Sequence, residues 1–280
     1  TDFLEDNKLD QYPSDKWHKG WEATTLLSRR QMMELAAAVT YVSGTQQKED
    51  LELIPDIHTR CNHFVVNNGV DLEQYNNPQI KAQAQQLRIK MNISKAEKVI
   101  LYCGRMDEEK GIYDLAKAAQ LLSKKNKNIR LIYLGNSHDT TEARIKSNCP
   151  NVNTIFLPLI PKEERGRLAT MYSLADVVAQ PTWGECFNQI VAEALALGTP
   201  SVVSDYSAPG EIYVKKGAAV GCQPQNPQDL ADKLDLALTD SNLRNQVIRQ
   251  GKILIGTDLN LRTMTERYRK IYEQLDYDLQ

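Results

Sequence analysis

The sequence predicts an α/β protein in which a Rossmann-like parallel sheet carries helices on both faces. Short apolar runs recur after Lys98, and their apolar residues occupy both alternating positions, as in strands buried on two faces. Segments of helical periodicity separate the runs, so that helical crossovers join consecutive strands. The runs are Val99–Cys103, Leu131–Leu134, Thr154–Leu157, Val177–Ala179, Ser201–Val203 and Ala218–Val220.

Amphipathic helices lie between these strands. One is marked by apolar residues from Ile112 to Leu122. Another is marked by apolar residues from Leu168 to Ala175, and Pro161 favours the start of this helix a few residues before Leu168. After Asn226 the chain is predicted to be helical to its end. In sheets of this kind ligands bind outside the carboxyl ends of the strands. The loops that follow the strands are therefore where functional residues are expected.

The segment before Lys98 is organised differently. Because two strands do not make a stable domain alone, residues 1–72 are predicted to be the remnant of an amino-terminal domain. A Gln-rich stretch, 79–86, is predicted to be a polar linker or helix. The elements predicted in the remnant are a helix near Ser28–Ala37, a strand at Val39–Ser43, a helix to about Leu53 and a strand at His63–Val66.

Composition and charge exclude several classes of protein. Apolar residues make up 41% and charged residues 25% of the 280 residues, which is the balance of a globular chain with a buried core. The net charge of −2 provides no basic field for nucleic acid. No run approaches the roughly 18 apolar residues of a membrane span. The five cysteines form no C-x-x-C pair, which argues against disulfides and zinc and predicts a cytoplasmic protein.

The first candidate site follows the strand Val99–Cys103. Gly104 permits a tight turn, and the start of the next helix offers unpaired amides to an anion. Arg105 supplies a fork for phosphate oxygens and Lys110 a point charge. The alternative interpretation is a surface turn, favoured on this segment alone, in which both cations pair with the intervening Asp107, Glu108 and Glu109.

The second candidate site is the segment Trp183–Asn188, between a strand and a helix. Glu185 and Glu193 have E-x7-E spacing, which is not diagnostic alone but falls at a helix amino terminus, where amides collect anions. A rise of about 12 Å over eight helical residues would set the two carboxylates at opposite ends of an elongated ligand. Carboxylates accept hydrogen bonds from sugar hydroxyls, as in ribose binding by dinucleotide folds. The alternative is that Glu193 is a paired, half-buried helix residue.

These segments resemble the motifs of retaining glycosyltransferases with the GT-B fold, family 4, also known as glycosyl transferases group 1. The resemblance covers roughly residues 38–275. It implies a nucleotide-sugar-binding domain at 73–258 and a helix at 259–280 that packs back toward the amino-terminal domain. The matching motifs are Gly104-Arg105 with Lys110-Gly111, the E-x7-E pair, Gly198-Thr199-Pro200 before Asp205, and the N-G-V-D turn within Val66–Asp71.

The resemblance also implies a role for each matching residue. Arg105 and Lys110 would hold the donor's diphosphate, Glu193 would bind the ribose, and Glu185 would contact the donor sugar. The catalytic group would comprise Glu185, Arg105 and Lys110. No metal is expected, because the basic pair takes the role of a cation. Further donor contacts are expected from Gly104, Gly184, the amides of Cys186 and Phe187, and, beside the base, the loop Leu157–Ile160 with Leu159.

The sequence departs from the family pattern at several loops. Asn188 stands where the family usually has glycine, and Cys186 where it has a small residue. Asn tolerates left-handed backbone, so the loop is expected to keep its course. Tyr206-Ser207 replaces a Gly-Gly pair, and Gly135-Asn136-Ser137 replaces G-x-G. Because both loops border the donor pocket in the family, the sugar itself is not predicted.

The resemblance predicts a hexosyltransferase that moves a sugar from a UDP- or GDP-linked donor to an acceptor hydroxyl with retention, in polysaccharide or glycoconjugate synthesis. The acceptor would be a carbohydrate, a lipid-linked molecule or a protein, without a cofactor. No nucleic-acid partner is expected, and peripheral membrane contact is compatible with this activity. The chain is interpreted as part of a longer enzyme. The alternatives are a non-catalytic nucleotide-sugar-binding module or subunit, and a nucleotide-sugar epimerase of the same architecture.

Overall fold

The computed structural model describes residues 28–55, 59–125 and 127–278. These residues form two compact units, one made of residues 28–66 and 267–278, and the other of residues 67–266. Residues 1–27 of the predicted remnant, and the last two residues of the predicted terminal helix, lie outside the described residues. The domain boundaries inferred from the sequence, at residues 72 and 258, stay predictions.

The first unit contains a small parallel sheet. Strands β1 (Ala38–Tyr41) and β2 (Asn62–Val65) pair directly, and helix α1 (Gly44–Leu53) connects them after a helical segment at 28–35. The side chain of Ser43 accepts a hydrogen bond from the amide of Gln46 at 3.1 Å and so caps α1. Both predicted strands are present, each displaced by one or two residues.

The second unit is built on six parallel strands. Their spatial order is β5-β4-β3-β6-β7-β8, so the chain starts in the centre and winds outward in both directions. Each crossover between them contains helical structure, as a parallel sheet requires. The strands are β3 (Lys98–Cys103), β4 (Ile129–Leu134), β5 (Asn153–Leu157), β6 (Val177–Gln180), β7 (Ser201–Ser204) and β8 (Val220–Cys222).

Helices cover both faces of this sheet. The helices of this unit are α2 (Leu72–Tyr75), α3 (Gln79–Lys90), α4 (Ile112–Lys124), α5 (Asp139–Asn148), α6 (Arg165–Leu174), α7 (Gln189–Ala196), α8 (Pro227–Thr239) and α9 (Ser241–Thr257), and α10 (Leu261–Asp278) begins in this unit and continues into the first. Short helical turns lie at Glu108–Lys110, Lys162–Glu164, Ser207–Pro209 and Gly210–Val214. No helix in the described parts of the chain combines the length and apolar character needed to cross a membrane.

Alternate residues of the central strand β3 join two separate cores. Ile100 and Tyr102 pack with α4, α5 and α8, whereas Leu101 and Cys103 pack with α3, α6 and α7. Because both faces of β3 are buried, apolar residues occupy both alternating positions of its sequence. The predicted α/β fold, with a parallel sheet between two layers of helices, is confirmed.

Two local predictions needed correction or completion. The last strand is Val220–Cys222 rather than Ala218–Val220, because Gly217 adopts a positive φ of 67° and the amide of Ala218 donates to the carbonyl of Tyr213. The Gln-rich stretch is helical and extends to Lys90 as α3. Its buried Ile80 and Ala84 give the polar sequence an apolar face.

Candidate functional site

The strand order reverses between β3 and β6. These two strands are neighbours, but the chain leaves them toward opposite edges of the sheet. In open α/β sheets ligands bind at such a point, where the strand order reverses. The two loops that leave the carboxyl ends of these strands begin at Gly104 and at Pro181, and they contain both candidate sites.

Glycines bring the loops after β3, β4 and β6 into contact. A Cβ atom at Gly135 would lie 1.9 Å from the carbonyl oxygen of Gly104, and one at Gly111 would lie 2.1 Å from that of Pro181. Both glycines also have a positive φ, of 157° and 72°. Glycine is therefore the residue that allows these backbones to approach each other.

Hydrogen bonds hold the same two loops together. The amide of Trp183 donates to the carbonyl of Glu109 at 2.9 Å, and the indole Nε1 donates to Asp114 at 3.1 Å. Thr182 adds a hydroxyl contact to the carbonyl of Glu109 at 3.3 Å. The loop with the basic residues is thus fixed against the loop with the first glutamate.

Arg105 and Lys110 find different partners within this frame. The guanidinium of Arg105, 71% exposed, pairs with Asp107 at 2.7 Å and with Glu109 at 3.3 Å. The ammonium of Lys110 instead lies 3.1 Å from a carboxylate oxygen of Glu185, and both of these side chains are partly buried. The surface pairing anticipated as the alternative is found for Arg105, whereas Lys110 joins the two candidate sites.

The loop before α7 presents Glu185 from an irregular backbone. Its amide donates to the hydroxyl of Ser207 at 3.2 Å, and its carboxylate accepts from the amide of Cys186 at 3.1 Å. Because α7 begins only at Gln189, residues 185–188 are not helical. The predicted separation of about 12 Å between the two carboxylates assumed that all eight residues are helical. That assumption is wrong.

Asn188 turns the chain into α7. Its φ of 68° is left-handed, which confirms the expectation for a residue standing at a usual glycine position. Its carbonyl accepts a hydrogen bond from the hydroxyl of Tyr213 at 3.1 Å. The buried ring of Phe187 meets the edge of the same tyrosine, with 6.0 Å between ring centroids. The predicted loop is therefore anchored at its helical end.

Glu193 lies within α7 in a largely enclosed environment. Its carboxylate accepts a hydrogen bond from the hydroxyl of Tyr172 at 2.9 Å. Burial raises the pKa of Glu193 above its usual value, against the opposing effects of hydrogen bonds from Tyr172 and Tyr75 and of the charge of Arg165. Perturbed carboxyl groups of this kind concentrate at functional sites, although structural networks produce them too. The arrangement fits both predicted alternatives, a ligand contact and a paired helix residue.

Leu159 borders a separate cavity on the same unit. Its side chain is 53% exposed, and the cavity has a volume of about 900 Å³. Leu157, Met171 and Ile160 supply apolar walls, and Gln83 supplies an amide. Glu185 and Lys110 are not among the described residues that line this cavity. The loop expected beside the base therefore has its own recess.

Several polar residues of the site were missed by sequence reasoning. Tyr172 lies in the segment Leu168–Ala175, which was identified only as an amphipathic helix, yet its hydroxyl contacts Glu193. Ser207 was noted only as a departure from a glycine pair, yet it receives the amide of Glu185. Buried Gln180 donates to the carbonyl of Cys103 at 2.8 Å and links β6 to β3. A hydroxyl or amide at the carboxyl end of a strand or on a buried helix face is the signal that could have identified them.

The assembled groups can bind a ligand that is anionic at one end and rich in hydroxyls elsewhere. Arg105 and Lys110 offer positive charge, the loop before α7 offers amides, and two carboxylates accept hydrogen bonds. Among the described residues, no three His, Cys, Asp or Glu side chains gather in a cluster that could hold a metal ion.

Comparison with known proteins assigns the family. The sequence pattern of the family described as "Glycosyl transferases group 1" matches residues 83–253, more than half of the chain. An uncharacterized glycosyltransferase of Methanocaldococcus jannaschii is 27% identical over 189 residues, covering 67% of this chain and 48% of that protein. The D-inositol 3-phosphate glycosyltransferase of Corynebacterium urealyticum is 29% identical over 217 residues, or 74% of this chain and 50% of the relative.

Solved structures share the fold. Sucrose-phosphate synthase of Thermosynechococcus elongatus superposes with a TM-score of 0.79 at 21% identity, covering 96% of this chain and 65% of that one. HepE of Anabaena, in complex with UDP and glucose, gives a TM-score of 0.76 at 16% identity, with 90% and 67% covered. The chain spans about half the length of the curated relatives it matches. It has the α/β fold of GT-B glycosyltransferases and belongs to the glycosyl transferases group 1.

Proposed function

We propose that this chain binds a UDP- or GDP-linked sugar and contributes to its transfer to an acceptor hydroxyl with retention at the anomeric carbon. The observation that carries the proposal is the contact between Lys110 and Glu185 at the point where the strand order reverses. It joins a cation suited to a diphosphate with a carboxylate suited to a sugar. These are the two chemical parts that meet in a nucleotide sugar.

Each residue then has a physical task. Arg105 and Lys110 would exchange their carboxylate partners for diphosphate oxygens and stabilise the negative charge that grows on the leaving group, without a metal ion. Glu193 would accept hydrogen bonds from ribose hydroxyls, and Glu185 from the donor sugar, assisted by the amide of Cys186. The remaining donor contacts would come from the amide of Phe187, from the glycines Gly104 and Gly184, and from Leu159 beside the base.

The relatives support this proposal in general terms. One relative is named for transfer to D-inositol 3-phosphate, and one structural neighbour holds UDP and glucose. For this chain, the acceptor is proposed to be a carbohydrate, a lipid-linked molecule or a protein, in polysaccharide or glycoconjugate synthesis. We also propose a cytoplasmic location, since all five cysteines are thiols rather than disulfides.

A nucleotide screen tests the proposal directly. We expect UDP or GDP, and the corresponding glucose or mannose donor, to raise the melting temperature of the chain, whereas ADP raises it less, because binding to the native state stabilises it by mass action. A chain that responds to none of these compounds would not be a donor-binding protein. A chain that binds donors, but whose full-length form transfers no sugar, would be the non-catalytic module. Conversion of the nucleotide sugar into one with an inverted configuration at a single sugar carbon would identify the epimerase.

The two glutamates separate the parts of the ligand. We expect Glu193→Gln to weaken UDP and UDP-sugar alike, because both contain the ribose, and Glu185→Gln to weaken only the UDP-sugar. Calorimetric titration measures both affinities, and exposed Glu52, which pairs with Lys48 at 3.7 Å in the first unit, supplies the control Glu52→Gln. Equal loss of free UDP in Glu185→Gln would contradict the proposed arrangement along the ligand.

A further inference from the structure

Two phenol groups enclose the carboxylate of Glu193. The hydroxyl of Tyr172 donates to the carboxylate oxygen Oε2 at 2.9 Å, and Tyr75 faces the same carboxylate and opposes the rise of its pKa. Tyr172 is fully buried, and Tyr75 is 8% exposed. Neither residue belongs to the donor contacts assigned above, so their hydroxyl groups call for a separate explanation.

The position of Tyr172 is itself fixed. Its ring lies in the apolar core formed by α3, α6 and α7 against the sheet. The hydroxyl of Thr199 donates to its backbone carbonyl at 2.8 Å. A glutamate side chain has several rotatable bonds and loses freedom when a ligand orders it. A rigid donor that already holds one carboxylate oxygen removes part of that cost before the ligand arrives.

We propose that Tyr172 is a positioning residue for the ribose-binding carboxylate of Glu193. Its hydroxyl fixes oxygen Oε2 and directs Oε1 toward a ribose hydroxyl, with Tyr75 as a secondary support. This inference rests on the proposed function, in which Glu193 binds the ribose. It adds a residue that contacts no part of the donor and acts only through Glu193.

The electrostatic surroundings of Glu193 favour the same role. Burial alone disfavours its ionised form and raises its pKa, while the hydrogen bonds from the two phenols oppose this effect. An ionised carboxylate accepts hydrogen bonds only, which suits hydroxyl donors of a ribose. The titratable or polar groups that face it are Tyr172 and Arg165 from α6, Tyr75 from α2, Gln189 from α7, Cys103 from β3 and Tyr213 from the turn Gly210–Val214.

A tyrosine-to-phenylalanine change tests the proposal with a matched control. We expect Tyr172→Phe to weaken binding of UDP by up to about tenfold, the range of the ordering cost of one flexible side chain that the ligand must then immobilise. GDP replaces UDP as the probe if it gives the larger thermal shift in the wild-type chain. Tyr41→Phe removes another buried phenol, whose hydroxyl lies 3.1 Å from Nδ1 of His63 in the first unit. It should leave the affinity for UDP unchanged.

The pH dependence of binding gives a second measurement. Without the hydroxyl of Tyr172, the pKa of Glu193 should rise further, so the loss of UDP affinity on acidification begins at a higher pH than in the wild type. Tyr41→Phe should leave this pH dependence unchanged. A Tyr172→Phe variant that binds UDP more weakly, but loses affinity at the same pH as the wild type on acidification, would indicate that Tyr172 has a role in the fold alone. This result would overturn the proposal.

A double-mutant cycle decides whether Tyr172 acts through Glu193. In a Glu193→Ala background, Tyr172→Phe should cause no further loss, because the group that it positions is gone. Independent, multiplicative losses would overturn the proposal. If Glu193→Ala bound UDP with wild-type affinity, the inference about Tyr172 would be overturned, although the chain would still bind nucleotide. Absence of UDP and GDP binding in the wild-type chain would instead refute the proposed function, so the two failures are distinguishable.

Discussion

Arg105 and Lys110 lie five residues apart in one loop, yet their charges are held in different ways. Arg105 is mostly exposed, and its ion pairs with Asp107 and Glu109 are of the surface kind that contributes little to stability. A diphosphate can therefore replace those carboxylates at small cost. Lys110 shares its charge with Glu185 from a loop 75 residues away. The residue types were predictable from the sequence, but this partner was not, because no local pattern encodes it.

Removing either cation should affect phosphate recognition selectively. We expect Arg105→Ala and Lys110→Ala each to weaken UDP about ten- to a hundredfold, while uridine affinity changes little, because each loses one charge-assisted contact. Calorimetric titration of both ligands measures this difference. Lys216, which pairs with Asp258 at 3.2 Å, supplies the control Lys216→Ala. Equal losses for UDP and uridine would show that these residues are not the phosphate clamp.

Individual elements were predicted best where local chemistry decides them. The apolar runs identified the first five strands of the large sheet, because burial on two faces leaves a simple signal, and they placed the sixth two residues too early. The helical nature of 79–90 was left open, since only Ile80 and Ala84 supply its buried face. Among the site residues, the left-handed turn at Asn188 was foreseen from its residue type. The roles of Tyr172 and Ser207 were not, because their partners come from other elements.

The junction between the loop and α7 depends on the backbone of Asn188. We expect Asn188→Ala to lower the free energy of unfolding by about 1 kcal/mol, because alanine tolerates the left-handed region poorly. Asn188→Gly, whose backbone adopts this region readily, should cost less. Urea unfolding compares the two variants, and donor affinity should follow the same order because the loop also carries Glu185. A glycine variant less stable than the alanine variant would contradict this account.

At the scale of the whole chain, the order of the strands creates the candidate site. The sequence indicated that ligands bind at the carboxyl edge of the sheet, but only the family resemblance, and no pattern in the residues, indicated which loops meet there. That information is contained in the pairing of β3 with both β4 and β6. Glycines at 111 and 135 then allow the neighbouring loops to touch. Pairing between distant segments is a property of the folded chain, which explains why the contact between Lys110 and Glu185 appeared only in the structure.

The large unit also contains two carboxyl groups with opposite effects on stability, the buried Glu97 and the half-buried Glu193. Burial would raise the pKa of Glu97, but hydrogen bonds from Ser94 and Arg130 lower it below its usual value, and Arg130 lies 2.7 Å away. Ionised Glu97 therefore stabilises the fold at pH values above 4.5. The raised pKa of Glu193 means that its ionised form opposes folding at neutral pH, and that this cost is relieved as the pH falls through the raised value.

Neutral variants of the two residues should consequently shift stability in opposite directions in the ligand-free chain. At pH 7.5 we expect Glu97→Gln to lower the free energy of unfolding by about 3 kcal/mol, because it leaves the buried guanidinium of Arg130 without a counter-charge. Glu193→Gln should raise it, since the amide oxygen can still accept from Tyr172. At pH 5 the loss in Glu97→Gln should persist, because this pH is still above the unfolded pKa, whereas the gain in Glu193→Gln should shrink. Urea unfolding at both pH values measures the four differences. If Glu193→Gln were less stable than the wild type at pH 7.5, the carboxylate of Glu193 would contribute to the fold. The interpretation of Glu193 as a group that serves ligand binding at a cost in stability would then be wrong.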